Sequence, residues 1–239
     1  MSTIVFTHSI FPNNMTTHNN RRPIASRNNK LIIRFAAWLA AKDSPSPNQI
    51  SILSAVFAAC GAGLLAYSQH AAALVGCAIF IQLRLMCNLL DGMVAVEGGK
   101  KTDTGEIYNE FPDRVADSVL IVALGYAIGQ SWLGWLGALL AMATAYIRVF
   151  GGSLGFAQDF LGPMAKQQRM AVLTLGCLLG AIESHYNQTN FLLGVSLAAI
   201  VIGSGITCYK RTQTIAELMR LRAAETQSED EVGQTRKND

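Results

Sequence analysis

Apolar residues fall into six long blocks separated by short polar breaks. The blocks run Ile50–Tyr67, Ala71–Leu90, Val115–Gly129, Trp132–Phe150, Ala171–Ile182 and Phe191–Tyr209. A helix crossing a bilayer needs about 20 predominantly apolar residues. The third and fifth blocks are shorter, and their polar ends are expected to continue as helix beyond the hydrocarbon. Small residues recur within the blocks, at Gly61 and Gly63, Gly125 and Gly129, Gly134 and Gly137, and Gly176 and Gly180. Such residues let helices approach closely in lipid. Upstream, Leu31, Phe35, Trp38 and Leu39 recur at helical spacing, with Lys30, Arg34 and Lys42 off that face. This pattern predicts an amphipathic helix lying in the membrane interface. Asp43-Ser44-Pro45-Ser46-Pro47-Asn48 ends it, because the residue before a proline avoids helical geometry. The expected fold is an all-α membrane protein, a six-transmembrane-helix bundle preceded by an N-terminal interfacial helix. The expected layout is a disordered basic arm at 1–29, the interfacial helix at 30–43, the bundle at 44–209 and a cytoplasmic tail at 210–239. That tail is expected to begin as a short helix around Ile215, Leu218, Met219 and Leu221 and to end in a charged, disordered segment.

Composition agrees. The 239 residues are 51% hydrophobic and 15% charged, well below the roughly 25% charged residues of a soluble domain. Residues 1–20 lack the basic-then-apolar order of a secretory signal. The five cysteines, Cys60, Cys77, Cys87, Cys177 and Cys208, lie in or beside apolar blocks without a CxxC pair, and are expected to pack rather than to bridge or bind metal. The net charge of +3 matters through its placement. The breaks around Ser68-Gln69-His70, Gln130-Ser131 and Glu183 to Asn190 hold no Lys or Arg. Basic residues collect on the other side: the N-terminal arm with Arg21, Arg22 and Arg27, then Lys100-Lys101, Arg148, Lys166, Arg169 and Lys210-Arg211. The positive-inside rule then puts both termini in the cytoplasm.

The chemistry concentrates in one stretch, Asn88 to Asp117, which that orientation places on the cytoplasmic side. Burying acidic and amide groups at the edge of hydrocarbon costs free energy unless something binds them. At about 100° per residue, Arg84, Asn88, Asp91, Gly92 and Ala95 share one face of the second span. Glu106, Asn109, Glu110, Asp113 and Asp117 share a narrow sector of the third helix. The short link between the two predicts antiparallel neighbours whose polar faces meet. Hard oxygen donors from two helices suit Mg²⁺ or Mn²⁺, especially when phosphate completes the shell. Gly92 and Gly105 would let a bulky polar ligand approach the backbone. Asn109 has a second reading as a helix N-cap with Pro112 in the first turn, and Asn88 as an interhelical hydrogen bond.

These residues resemble the signature of the CDP-alcohol phosphotransferases. That signature is Asp, two residues, Asp-Gly, two residues, Ala-Arg, eight residues, Gly, three residues, Asp, three residues, Asp. Asp91-Gly92, Ala95, Gly105 and Asp113 match it in identity and spacing. The resemblance runs from about Lys30 to Tyr209. Three positions depart: Asn88 and Asn109 stand in place of two aspartates, and Val96 in place of the arginine. The resemblance implies that Asn88, Asp91, Asn109 and Asp113 hold divalent metal, Mg²⁺ or Mn²⁺, with Asp113 also the general base. The asparagines bring carbonyl oxygens without charge, which Glu106, Glu110 and Asp117 are placed to supply. Arg84, an intramembrane arginine, is expected to face a pyrophosphate and partly replace the missing arginine, or to pair with Asp91 or Asp113. In the resembling family, basic residues in the region of Arg148, Lys166 and Arg169 bind phosphate.

The resemblance further implies a membrane enzyme of phospholipid biosynthesis. Its donor would be a CDP-linked lipid such as CDP-diacylglycerol, its acceptor a small alcohol or alcohol phosphate, and CMP its leaving group. A homodimer in a bacterial inner membrane and no nucleic-acid partner are expected. Two rival readings remain. One is a non-catalytic lipid- or nucleotide-binding member of the same fold. The other is a transporter or channel, disfavoured because no repeat is visible and the polar residues cluster at one face rather than at the midplane.

Overall fold

The computed structural model describes residues 30–238 apart from 43, 101, 158–161 and 187–188. The basic arm expected at 1–29, and Lys101, lie outside the described residues. The remainder is helical: α1 (Lys30–Ala40), α2 (Pro47–Tyr67), α3 (Ala71–Glu97), α4 (Gly105–Ala127), α5 (Ser131–Ser153), α6 (Lys166–Tyr186) and α7 (Phe191–Asn238).

Helix boundaries follow local chemistry. Ser46 caps α2: its hydroxyl accepts from the Gln49 amide while the Gln49 side chain accepts from the Ser46 amide, and Pro47 takes the first helical position. Gly129, at φ +70°, turns the chain between α4 and α5. Both carboxylate oxygens of Glu183 accept from the amides of Phe191 and Leu192 at 2.8 Å, closing the α6–α7 connection over the start of α7.

Four helices are long and apolar enough to cross a membrane: Pro47–Tyr67, Ala71–Val96, Ser131–Ser153 and Phe191–Ala224. The chain is a membrane protein. Helices α4 and α6 have spanning length, but charged residues at their ends (Glu110, Asp113, Arg114 and Asp117 on α4; Lys166, Arg169 and Glu183 on α6) dilute their apolar character. Their polar ends do continue as helix past the apolar blocks.

The packing closes a ring. Helix α2 contacts α3 and α4, α4 contacts α5, α5 contacts α7, α7 contacts α6, and α6 returns to α3. Leu65, Leu74, Ile81, Leu120, Ile121, Leu124, Met170, Leu173, Leu197 and Ile200 fill its centre. One sequence expectation changes here. Helices α3 and α4 are not ring neighbours; they flank α2 on its two sides, and their side chains meet inside the ring. Long and polar side chains bridge the two.

Glycine sets the closest approach. A Cβ built on Gly125 would sit 2.6 Å from the Cα of Gly134, where α4 crosses α5. Gly134→Val is therefore expected to cost about 1–3 kcal/mol through overpacking, seen as a lowered Tm in detergent. Gly63→Ala should leave Tm unchanged, because a Cβ there meets nothing within 4 Å. Gly63 and Gly129, grouped with the packing glycines from sequence, thus serve no close contact.

Helix α1 divides its apolar residues. Ala36 and Leu39 are buried against Leu90, Met93 and Val94 of α3. Phe35 and Trp38 point outward with rings stacked 5.8 Å apart, and the Lys42 ammonium sits 3.6 Å over the Trp38 ring. Lys100 donates to the Lys42 carbonyl and ties the α3–α4 link to the end of α1. At the other terminus, the expected stop near Tyr209 is not a helix end. Helix α7 runs unbroken to Asn238. Ala216 to Ala224 is made of strong helix formers, with no glycine or proline before Gly233.

Candidate functional site

Inside the ring, where α3 ends and α4 and α6 begin, a polar cluster displaces the apolar core. Three helices supply its ionised groups: Arg84 and Asp91 from α3, Asp113 and Asp117 from α4, Lys166 and Arg169 from α6. Arg84 and Arg169 are fully enclosed, and Asp91, Asp113 and Asp117 are 3%, 7% and 2% exposed. Charges buried to this degree survive only when paired and hydrogen-bonded.

Asp113 is the centre of the cluster. Its Oδ1 accepts from Asn88 Nδ2 at 2.5 Å and from Arg84 Nη2 at 3.4 Å. Its Oδ2 is ion-paired with the Lys166 ammonium. Asn88 is held from behind, with its Oδ1 accepting from the Ser54 hydroxyl at 2.5 Å. The amide thus donates to a carboxylate on one side and accepts from a hydroxyl on the other. An aspartate at 88 would instead face the Asp113 carboxylate directly, and that geometry gives the departure from the family signature a physical consequence. Asp91 lies beside the cluster, with Oδ2 accepting from Ser51 at 2.6 Å and Oδ1 from the Gly92 amide at 2.5 Å.

Asp117 lies one turn deeper and binds both arginines. Its Oδ2 accepts from Arg169 Nη2 at 2.6 Å and Nε at 2.9 Å, and its Oδ1 lies 3.8 Å from Arg84 Nη1. Arg169 Nη1 also donates to the Met164 carbonyl at 2.8 Å and to Thr144 Oγ1 at 3.2 Å. Arg84 donates to the Asp113 carbonyl at 3.0 Å and contacts Met170 Sδ at 2.9 Å.

The structure sorts the sequence-predicted residues. Asn88, Asp91, Asp113, Arg84, Lys166 and Arg169 do converge. Arg84 and Arg169 are buried beneath the carboxylates, and Arg84 pairs with Asp113, one of the two roles the sequence offered for it. Asn109 is exposed on α4 and makes no hydrogen bond to the cluster. It does not cap the helix either, since α4 starts at Gly105 with Thr104 as N-cap and Pro112 lies inside. The charges expected to offset the asparagines are committed elsewhere. Asp117 is held by the arginines, and Glu110 pairs with Arg114 at 2.7 Å and Arg148 at 2.8 Å; the Glu106 side chain lies outside the described residues. Gly92 lines open space, with nothing within 4 Å of a Cβ placed there, and Ala95 is half-buried one turn on. Gly105 is the first residue of α4. Sequence reasoning missed Ser51 and Ser54. Their signal was present as two hydroxyls one turn apart in an otherwise apolar block.

The donor set can be tested against a divalent cation. Among the described residues, no three His, Cys, Asp or Glu side chains converge. Carboxylate and amide oxygens are the right type for Mg²⁺ or Mn²⁺. Asp91 and Asp113 are donors of that type, whereas Asn88 turns its amide nitrogen to Asp113 and its carbonyl to Ser54, so it would ligate an ion there only with its amide reversed.

Beside this cluster, Arg148, Gly151, Phe156, Ala157, Arg211, Thr214, Ile215 and Leu218 line a small open cleft between α5 and α7. Arg148 reaches Glu110 from this cleft, and Arg211 donates to the Thr144 carbonyl.

A family model described as CDP-alcohol phosphatidyltransferase matches residues 45–206. The chain belongs to the CDP-alcohol phosphatidyltransferase family. Within it, the chain is 34% identical over 146 residues to the bifunctional IPC transferase and DIPP synthase of Rubrobacter xylanophilus, covering 58% of this chain and only 33% of that longer protein. It is 30% identical over 179 residues to the archaetidylinositol phosphate synthase of Aeropyrum pernix, covering 74% of this chain and 86% of that one. The fold is that of Mycobacterium tuberculosis phosphatidylinositol phosphate synthase, solved with CDP-DAG bound, at TM-score 0.66 and 20% identity over 78% of this chain and 94% of that one. The same synthase in complex with manganese and citrate gives TM-score 0.65 at 20% identity, over 77% and 88%. Family membership covers α2 to α7, and the polar cluster lies within the matched segment.

Proposed function

We propose that this CDP-alcohol phosphatidyltransferase moves a phosphatidyl group from CDP-diacylglycerol, or a closely related CDP-lipid, to a small alcohol phosphate and releases CMP. All six ring helices span the membrane in this reading, α1 lies in the interface, and both termini face the cytoplasm of a bacterial inner membrane, as a homodimer. The observation that carries the activity is the meeting of Asp113 and Asn88 with Lys166, one turn of α3 from the buried Asp91, at the polar end of an otherwise apolar ring.

The chain's residues divide the work. Asp91 and Asp113 would hold the divalent cation, with Asn88 joining them if its amide reverses; a cation held there would offset charge building on the attacked phosphorus and on departing CMP. Asp113 takes the proton of the acceptor hydroxyl, directly or through one water. Arg84 fixes Asp113 from below, and Asp117 fixes both arginines. Gly92 leaves room for the diphosphate against α3. Arg148 and Arg211 in the neighbouring cleft favour a phosphorylated acceptor, since guanidinium forks match phosphate oxygens. The relatives' names, an archaetidylinositol phosphate synthase among them, make inositol phosphate the first acceptor to try.

The test is product analysis by mass spectrometry. Purified protein in nanodiscs with CDP-diacylglycerol is offered inositol phosphate, glycerol phosphate, inositol, glycerol and serine. A phosphatidyl product formed from a phosphorylated acceptor, lost on chelation and restored by Mg²⁺ or Mn²⁺, supports the reading. Product only from unphosphorylated alcohols would overturn the acceptor class. Tight binding of the CDP-lipid with no product from any acceptor would favour a non-catalytic binding protein.

A further inference from the structure

The cluster is charge-balanced by its own side chains. Arg84, Lys166 and Arg169 pair with Asp113 and Asp117, and Asp91, held one turn from Asn88 by Ser51 and the Gly92 amide, brings the carboxylates to three against three cations. Both oxygens of Asp113 are already met by donors, Oδ1 by Asn88 and Arg84 and Oδ2 by Lys166. Asp117 is consumed by the arginines, and Asn88 is neutral and oriented with its amide nitrogen toward Asp113. A divalent ion arriving alone would add two charges to a neutral, partly buried site and would meet the Lys166 ammonium on the ligand it needs. In a low-dielectric setting that repulsion is large. A diphosphate arriving with the ion changes the balance, because it supplies negative charge and an alternative partner for the ammonium. Lys166 is suited to that exchange. Its side chain is 19% exposed at the rim of the cluster, whereas Arg84 and Arg169 are locked in place, 0% and 1% exposed. It is also a compact ammonium on a flexible stem, without the fixed fork of arginine.

Resting on the functional reading above, we propose that Lys166 occupies a cation's place on Asp113 in the resting site, so that the divalent cation binds firmly only together with the donor diphosphate. On donor binding the Lys166 ammonium passes from Asp113 Oδ2 to a diphosphate oxygen. This frees that carboxylate oxygen for the metal shell and for the acceptor proton. The substitution of Asn88 for an aspartate and the position of Lys166 on the same Asp113 carboxylate are then one adaptation, in which a side-chain cation replaces part of the metal charge.

The experiment is a Mn²⁺ titration followed by electron paramagnetic resonance, on full-length protein in nanodiscs with and without CDP-diacylglycerol, corrected for nanodiscs of the same lipids lacking protein. The wild-type protein should bind Mn²⁺ at least about tenfold more tightly with the donor present. Lys166→Met without donor should bind Mn²⁺ at least about tenfold more tightly than wild type, since one opposing charge is removed at contact distance. Asn88→Asp without donor should move affinity in the same direction. Wild-type affinity indifferent to the donor, or Lys166→Met with unchanged affinity, would overturn the proposal. If Lys166→Met does not assemble, the wild-type comparison decides alone. CMP release is recorded on the same samples. Release with Mn²⁺ affinity indifferent to Lys166 keeps the enzyme and rejects this role for Lys166. The predicted shifts without CMP release keep the role and reject the enzyme.

Discussion

Asp113→Asn is expected to lower phosphatidyl transfer by about 10²–10⁴-fold, the usual contribution of a positioned general base, while the protein still inserts and purifies. The substitution keeps the shape of the side chain and its contacts with Asn88 and Arg84. It removes the negative charge at the meeting point of α3, α4 and α6, and with it the acceptor for the substrate proton and the ion pair to Lys166. The check has two parts, CMP release at saturating donor and yield of monodisperse protein in detergent. Full activity would sink the base assignment. Loss of activity together with loss of folded protein would mean that Asp113 acts chiefly as a structural ion.

Asp117→Ala has the largest expected effect on stability. Asp117 is 2% exposed and serves two buried arginines, which the substitution would leave short of their carboxylate. Breaking a buried pair by removing one partner costs about 3–5 kcal/mol, because the remaining charge stays desolvated. Here two guanidinium groups are affected, although Arg84 keeps the Asp113 carbonyl and Arg169 keeps the Met164 carbonyl. The expected result is a large drop in Tm in detergent. Asp117→Ala combined with Arg169→Met should recover part of the loss, since the second change removes one stranded charge. A Tm within a degree or two of wild type for Asp117→Ala would show that these arginines do not depend on Asp117.

Much of this was legible in the chain because membrane helices announce themselves. Five of the six apolar blocks fall within observed helices, the third overruns the end of α4 by two residues, and the polar ends of α4 and α6 extend as expected. Asp91, Asp113 and Asn88 were findable because each interrupts apolar sequence at helical spacing. The partners were harder to see. Helical periodicity reports which residues share a face, not which helix stands opposite. The short link from α3 to α4 suggested adjacent helices, whereas α2 packs against both and leaves their side chains to meet across the interior. The same limit hid the pairing of Asp117 with Arg169, 52 residues apart. Asn109 shares the Asp113 face by register, but it lies one turn nearer the helix start, where α4 has left the cover of its neighbours. The continuation of α7 past Tyr209 was missed for another reason: hydropathy marks where a helix leaves lipid, not where it stops being helical.

Whether the polar cluster performs metal-dependent phosphatidyl transfer is decided by CMP release from CDP-diacylglycerol. Purified protein in nanodiscs would be followed in time with and without an acceptor alcohol phosphate, and with and without chelator. The expected result is release that requires both acceptor and divalent cation, with stoichiometric formation of the phosphatidyl product. Release at the same rate without acceptor, or undiminished by chelation, would contradict the assignment.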